Sequence, residues 1–223
     1  MITVKTFVFN TFEENTYLLY DETQEAVLID CGCMMATEEK MLSEFISTNR
    51  LTLKRLLCTH LHFDHVLGNA FFSKKYGIKP EAHQKDVDAI PSIKEQIKEQ
   101  IKEQRQSRVR ISIQEVPVTK FIVGNESIRF GESELTSLLV PGHSPGSLAF
   151  YSRKDGFIVV GDTLFRESIG RTDLWGGNSD LLIAVIRDKI LSLPDETIVY
   201  PGHGPSTTVI HEKFNNRFLT NNY

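Results

Sequence analysis

Leu56-Leu57-Cys58-Thr59-His60-Leu61-His62-Phe63-Asp64-His65 begins as an apolar run and ends in three histidines and a carboxylate packed into six residues. The same kind of ending recurs three times downstream, in Leu138-Leu139-Val140-Pro141-Gly142-His143, Ile158-Val159-Val160-Gly161-Asp162 and Ile198-Val199-Tyr200-Pro201-Gly202-His203. Strands that are continuously apolar are buried on both faces, so helices must cover the sheets they build. In helix-flanked sheets the binding crevice lies at the carboxyl ends of the strands. Four runs ending in imidazole or carboxylate therefore bring their potential metal ligands to one sheet edge.

Side chains alternate along extended chain, so His60, His62 and Asp64 project to one side and His65 to the other. A turn at Asp64 lets His65 rejoin them from the start of the next helix. The spacing divides into two adjacent sites, one served by His60 and His62, the other by Asp64 and His65. Imidazole and carboxylate suit zinc, iron or manganese, and no nearby pair of cysteines is available to close a structural zinc site. Open coordination positions imply chemistry. Any one of these histidines alone would read as a core or loop residue; the cluster is what marks a site.

Other candidates read differently. His211, beside Glu212, belongs to a C-terminal helix surface, and His83 follows a short strand outside the pattern. Cys31-Gly32-Cys33 has no partner cysteines for a metal and reads as buried thiols. The glycines of Pro141-Gly142-His143-Ser144-Pro145-Gly146 are turn residues that present His143, since no P-loop Lys-Ser/Thr follows them.

Outward from these motifs, the first third reads as strands at Ile2 to Phe9, Thr16 to Tyr20, Ala26 to Asp30 and Arg55 to Thr59, with a helix at Thr37 to Thr48. The last third repeats that texture, with strands at Leu135 to Val140, Leu148 to Ser152, Phe157 to Val160 and Thr197 to Tyr200, and a helix at Asp180 to Leu191. No Pro/Gly/Ser-rich linker separates the two parts. The expectation is an α/β fold, one domain over residues 1–223, with two sheet-containing halves sharing a core and helices outside.

Between the halves, Ile93 to Gln104 is three consecutive copies of Ile-Lys-Glu-Gln. Ile93, Ile97 and Ile101 form a narrow apolar stripe on a helix of strong helix formers. This is either a surface helix with a solvated charged face, or a lid or self-association face that would make residues 93–104 a homo-oligomer contact.

The 223 residues suffice to bury a sizeable core. Twenty-five Lys and Arg against 29 Asp and Glu leave no basic surplus to neutralise phosphates, which disfavours a nucleic-acid partner. No apolar run approaches the ~20 residues that span a bilayer, and Met1 to Asn10 alternates like a strand, so no membrane contact is expected. Cys31, Cys33 and Cys58 are odd in number and lie in or beside apolar runs, as reduced thiols of a cytoplasmic protein do.

The motif His60-x-His62-x-Asp64-His65 with downstream His143, Asp162 and His203 resembles the metallo-β-lactamase superfamily over nearly the whole chain. The resemblance implies an αββα sandwich of two mixed sheets flanked by helices, with a dinuclear metal centre between the sheets. It implies one metal on His60, His62 and His143, a second on Asp64, His65 and His203, and Asp162 bridging both. Asp64 and Asp162 would then serve catalysis as well as ligation, on two divalent ions, zinc first and iron or manganese next. Gly161-Asp162-Thr163-Leu164-Phe165, followed by Ser168-Ile169-Gly170-Arg171-Thr172-Asp173, is similar to the type II glyoxalase (hydroxyacylglutathione hydrolase) branch, as is Pro201-Gly202-His203-Gly204-Pro205-Ser206-Thr207-Thr208. Full-length members of that branch carry a C-terminal helical domain that supplies part of the glutathione site, and this chain stops at Tyr223.

The implied reaction is hydrolysis of a small-molecule thioester such as S-lactoylglutathione. Two cations ~3.5–4 Å apart share a water, lower its pKa toward ~7 and present hydroxide to the carbonyl. Charge developing on the carbonyl oxygen meets the cation held by His60, His62 and His143. Arg171 either pairs with a substrate carboxylate or forms a structural ion pair with Asp173, and both readings stay open. Asp30 and Thr59 are expected to orient ligand imidazoles from behind. The alternative chemistry is a persulfide dioxygenase, which resembles the same branch and uses one iron on two histidines and an aspartate. A non-catalytic interaction module is disfavoured by the complete ligand set. Lactamase and nuclease activities are less favoured because the loop after Asp162 matches neither.

Overall fold

The structure, a computed structural model, describes residues 1–104 and 114–220. A first mixed sheet runs β1 (Thr3–Phe9), β2 (Glu14–Tyr20), β3 (Glu25–Ile29), β4 (Thr52–Leu57), β5 (Pro80–Ala82) and β6 (Lys120–Phe121) in spatial as well as chain order. The second is built from β7 (Ser127–Phe130), β8 (Ser133–Leu139), β9 (Leu148–Ser152) and β10 (Phe157–Gly161), with the short hairpin β11 (Leu164–Phe165) and β12 (Ser168–Ile169) outside it, and is completed by β13 (Ile198–Pro201) and β14 (Thr207–Thr208). Helices α1 (Ala36–Thr48), α2 (Phe63–Val66), α3 (Asn69–Tyr76), α4 (Gln84–Ala89) and α5 (Ile93–Gln104) lie between strands of the first half, and α6 (Ser179–Val185) and α7 (Val209–Asn215) belong to the second.

Alternation along each strand builds three apolar layers from one sequence pattern. Tyr17, Leu19, Val27, Ile29 and Leu57 of the first sheet meet Ile128, Leu135, Leu148, Phe150, Phe157 and Val159 of the second in a core between the sheets. The intervening residues face outward: Leu18, Ala26, Leu28 and Leu56 pack with Leu42 and Ile46 of α1 and Phe72 of α3. Ala149, Tyr151, Ile158 and Val160 pack with Leu182, Val185 and Val209 on the other side. The αββα sandwich is therefore the arrangement that covers both apolar faces of the central strands.

Strand directions set the site. β8 and β10 each pair antiparallel with β9, and β10 pairs parallel with β13, so β8, β10 and β13 end at the same edge. β4 ends at that edge from the first sheet, after Leu57 rather than at Thr59 as the apolar run suggested. The ladder stops there because Thr59 N donates to the Asp30 carboxylate at 2.7 Å instead of to a strand carbonyl. The second-half helix expected over Asp180 to Leu191 is α6 from Ser179, capped by the Asn178 side chain, and then a π-helical turn over Ile186–Ile190. Among the described residues no helix is long and apolar enough to cross a membrane.

Phe150 is fully buried between the sheets. Phe150→Ala should cost about 3–5 kcal/mol by the cavity it leaves, read as a lowered urea midpoint with unchanged m-value. A loss below about 1 kcal/mol would mean that the inter-sheet core is not the main source of stability.

Candidate metal centre

The structure brings His60, His62, Asp64, His65, His143, Asp162 and His203 to one place. After β4 the chain bends at Thr59, His62 is extended, and α2 starts at Phe63, one residue earlier than the expected turn. Asp64 and His65 thus both ride on a helical turn. His143 follows β8, Asp162 follows β10 and His203 follows β13.

Two groups form. In the first, His143 Nε2 lies 2.9 Å from His62 Nδ1 and 3.3 Å from His60 Nε2. In the second, His203 Nε2 lies 3.2 Å from His65 Nε2 and 3.3 Å from Asp64 Oδ2. Asp162 stands between them, with Oδ1 3.3 Å from His65 Nε2 and Oδ2 3.7 Å from His143 and 3.6 Å from His203.

What these rings do at their other nitrogens decides what the inner ones can bind. His65 Nδ1 donates to Asp30 Oδ2 at 3.0 Å, His143 Nδ1 to the Arg171 carbonyl at 2.7 Å and His203 Nδ1 to the Phe12 carbonyl at 2.8 Å. Thr59 Oγ1 gives its proton to Asp30 Oδ2 at 2.6 Å, so it accepts from His60 Nδ1 at 2.9 Å. With those positions protonated, the inner nitrogens face each other as lone pairs. Lone pairs at this spacing repel unless a cation lies between them, and two nitrogens each ~2.1 Å from one tetrahedral ion are about 3.4 Å apart. The donor set fits a divalent ion in each group. The further proximity of Asp30, His60 and His65 is accounted for by the outer hydrogen bonds and needs no third ion.

Charge tells the same story. Burial and the neighbouring histidines push His60 well below the usual imidazole value, and burial takes His62 down to about 3. Burial opposes charge on His65 too, yet Asp162 and Asp64 outweigh it and raise this ring well above the ordinary value. Burial would raise Asp162, but His65 and the other imidazoles hold it well below the carboxylate range. A pocket this rich in carboxylate demands positive charge, from a proton or from metal.

Backbone approaches the cluster closely at two glycines. Gly161 has φ +52° and a Cβ there would strike the Thr59 side chain, while a Cβ on Gly202 would strike Asp162 Oδ1. Three buried polar side chains that the sequence reading did not single out complete the support. Asp86 of α4 accepts from Leu61 N at 3.1 Å, Ser144 Oγ at 3.0 Å and Gly146 N at 2.6 Å, tying the His60–His65 segment to the His143 turn. Burial pushes its carboxyl up to about 6 despite these donors. Gln96 of α5 accepts from Phe63 N and donates to the Leu61 and Pro91 carbonyls. Glu14 is buried with Oε2 accepting from Thr16 Oγ1 at 2.8 Å and Oε1 3.9 Å from His65 Nδ1. Asp86 and Gln96 sit in polar surroundings in sequence, so only their burial reveals them; Glu14 carried a signal, an acid heading a buried strand.

The remaining candidates fall into place. Arg171 forms a two-pronged ion pair with Asp173 at 2.7 and 2.8 Å, and its carbonyl, not its guanidinium, touches the ligand His143. His83 accepts from Lys85 N at the start of α4, and His211 of α7 reaches Glu167 at 2.8 Å. All three cysteines are free and buried. The Ile-Lys-Glu-Gln helix is half right as a solvated face: Lys94, Lys98 and Glu99 are exposed, but Gln96 is buried. The Ile101 side chain lies outside the described ones. An open cleft of about 230 Å³ leads down to the cluster, and Gln96 and Glu99 form part of its wall.

This fold and this cluster are those of a metal-dependent hydrolase class. The chain belongs to the metallo-beta-lactamase superfamily, which it matches over residues 10–203. It is 32% identical to the hydroxyacylglutathione hydrolase GloC of Haemophilus influenzae over 209 residues, 93% of each chain. Of solved structures, BLEG-1, a B3 metallo-beta-lactamase, is 33% identical with a TM-score of 0.82 over 99% of this chain and 100% of its own. TTHA1623 in a di-iron-bound form is 34% identical with a TM-score of 0.79, over 97% and 100% respectively.

Asp30→Asn keeps a residue tolerant of the φ of +49° found there while replacing an acceptor oxygen with a donor. Metal affinity should fall 10–100-fold, measured by chelator competition, with the circular dichroism spectrum unchanged. Undiminished affinity would show that the outer hydrogen bonds do not hold the rings.

Proposed function

We propose that the chain is a dinuclear metal-dependent hydrolase of small thioesters. The observation that carries this reading is the pair of ligand groups spanned by Asp162 at the floor of an open cleft. His60, His62 and His143 would hold one ion, Asp64, His65 and His203 the other, with zinc, iron or manganese compatible with the donors. Bound there, divalent ions supply Lewis acidity that polarises a carbonyl and acidifies a water.

The protein's own residues do the rest. Asp162 and Asp64 present carboxylate oxygens at the cleft floor, where they orient the attacking water and counter the positive charge. Asp30, through His65 and Thr59, and the Arg171 carbonyl, through His143, keep the ring faces fixed during turnover. A thiol of ordinary pKa ~8.5 departs as thiolate without a strong general acid. The Arg171–Asp173 pair favours the structural reading of that arginine, leaving substrate contact to the cleft walls. Three buried free thiols fit a reducing cytoplasm.

The likeness to GloC supports thioester cleavage, and the likeness to BLEG-1 supports a second reading, amide cleavage of a β-lactam by the same floor. Offering both substrates to the same metal-loaded protein separates them, and thioester turnover should exceed lactam turnover. Wild-type protein should hold about two ions per chain, and His203→Ala should lower this toward one and cut thioester turnover 10–100-fold or more. Oxygen consumption with glutathione persulfide should be negligible. A wild-type protein with a single iron that consumes O₂ and is indifferent to His203→Ala would replace the hydrolase with the dioxygenase.

A further inference from the structure

Beyond its ligand residues, the cleft is lined by Phe12, Phe63, Leu174, Trp175, Gln96, Glu99 and Arg171. The polar members are largely spent. The Gln96 amide uses its oxygen on Phe63 N and its nitrogen on two carbonyls, and Arg171 is engaged by Asp173. This leaves the Trp175 indole N–H and the exposed Glu99 carboxylate as the side-chain polar groups of this lining without a hydrogen bond among the described residues.

The apolar members line the cleft in two pairs, each reaching a ligand. Phe12 and Phe63 meet edge to face with centroids 5.1 Å apart, and the Phe12 carbonyl holds His203. Trp175 lies 5.9 Å from the His62 ring, with Leu174 beside it. Phe12 is 37% exposed, and neither it nor Leu174 belongs to a buried core cluster. Large apolar side chains left part-exposed around a polar floor mark a ligand's apolar portion rather than the fold's own packing.

We infer that this cleft seats an apolar acyl group, so that thioesters of straight-chain acids of about four to six carbons are better substrates than hydroxyacyl thioesters. The inference rests on the thioesterase reading for its reaction, but the acyl preference is a property of the walls and is measurable without turnover. An acyl chain laid against the walls removes apolar surface from water. Each methylene so buried is worth ~0.8 kcal/mol, or about 4-fold in affinity. A lactoyl hydroxyl in the same place would lose hydration with few partners to replace it.

Trp175 is the one tryptophan of the chain, so its fluorescence reports the cleft. Metal-loaded protein titrated with acetate, butyrate and hexanoate, the carboxylates that hydrolysis would release, should bind them with affinity rising about 4-fold per methylene. Phe12→Ser combined with Leu174→Ser should flatten that rise to less than about 2-fold per methylene, with metal content and circular dichroism unchanged. In parallel, kcat/KM for a butyryl thioester should exceed that for the lactoyl thioester of the same thiol. Equal affinities along the carboxylate series in the wild type, or a rise that survives in the double variant, would overturn the inference. A rise that the variant abolishes, in a protein inert to every thioester, would uphold the acyl site and overturn the thioesterase reading alone.

Discussion

Asp30 is the constraint on which the metal centre depends. It sits just past β3 in the left-handed region, φ +49°, a conformation that costs a non-glycine residue on the order of 1 kcal/mol. In return its carboxylate takes three hydrogen bonds, from Thr59 N, Thr59 Oγ1 and His65 Nδ1. The first ends the β4 ladder and frees the chain to turn toward the cleft. The second polarises Thr59 to accept from His60, and the third sets His65. One buried acid thereby fixes a ring from each of the two ligand groups and explains why both groups lie within reach of Asp162.

The two halves of the molecule are joined through the same region. Asn15 of β2 donates to the carbonyls of Pro201 and Gly204, and Tyr17 donates to Pro201. The first sheet thus holds the loop that carries His203. Asp86 performs the matching task between the His60–His65 segment and the His143 turn. These bonds order the ligands in advance, so the entropy of assembling donors from four segments is met during folding and not again on binding a cation.

The sequence announced the centre because metal ligands are chemically distinctive and because each lies just past an apolar strand. Burial on both faces of those strands also made helix-covered sheets readable, whereas the αββα layering was implied by the family resemblance that the motifs carry. What escaped the reading was support supplied from afar. Asp86 and Gln96 are polar residues at helix positions with no motif around them, and nothing local separates Gln96 from the other glutamines of the Ile-Lys-Glu-Gln repeat. The short strands β6 and β14 were equally silent, since two residues carry no period, while β5 was legible only as a short strand before His83. At Arg171 the guanidinium pairs with Asp173, one of the two readings open from the sequence, while the contact with His143 comes from a backbone carbonyl that any residue would provide.

The centre and its cleft differ in how tightly they are determined. Each ligand ring except His62 is held by an outer hydrogen bond, and His60, His65 and His143 are almost wholly buried. The walls, Phe12, Phe63, Leu174 and Trp175, are part-exposed, with Phe12 against Phe63 and Trp175 against the His62 ring. A substitution in the first set leaves an unpaired polar group in the interior, costing ~1–3 kcal/mol; one in the second leaves the core untouched. The cleft walls can therefore be altered without disturbing the donor cluster beneath them.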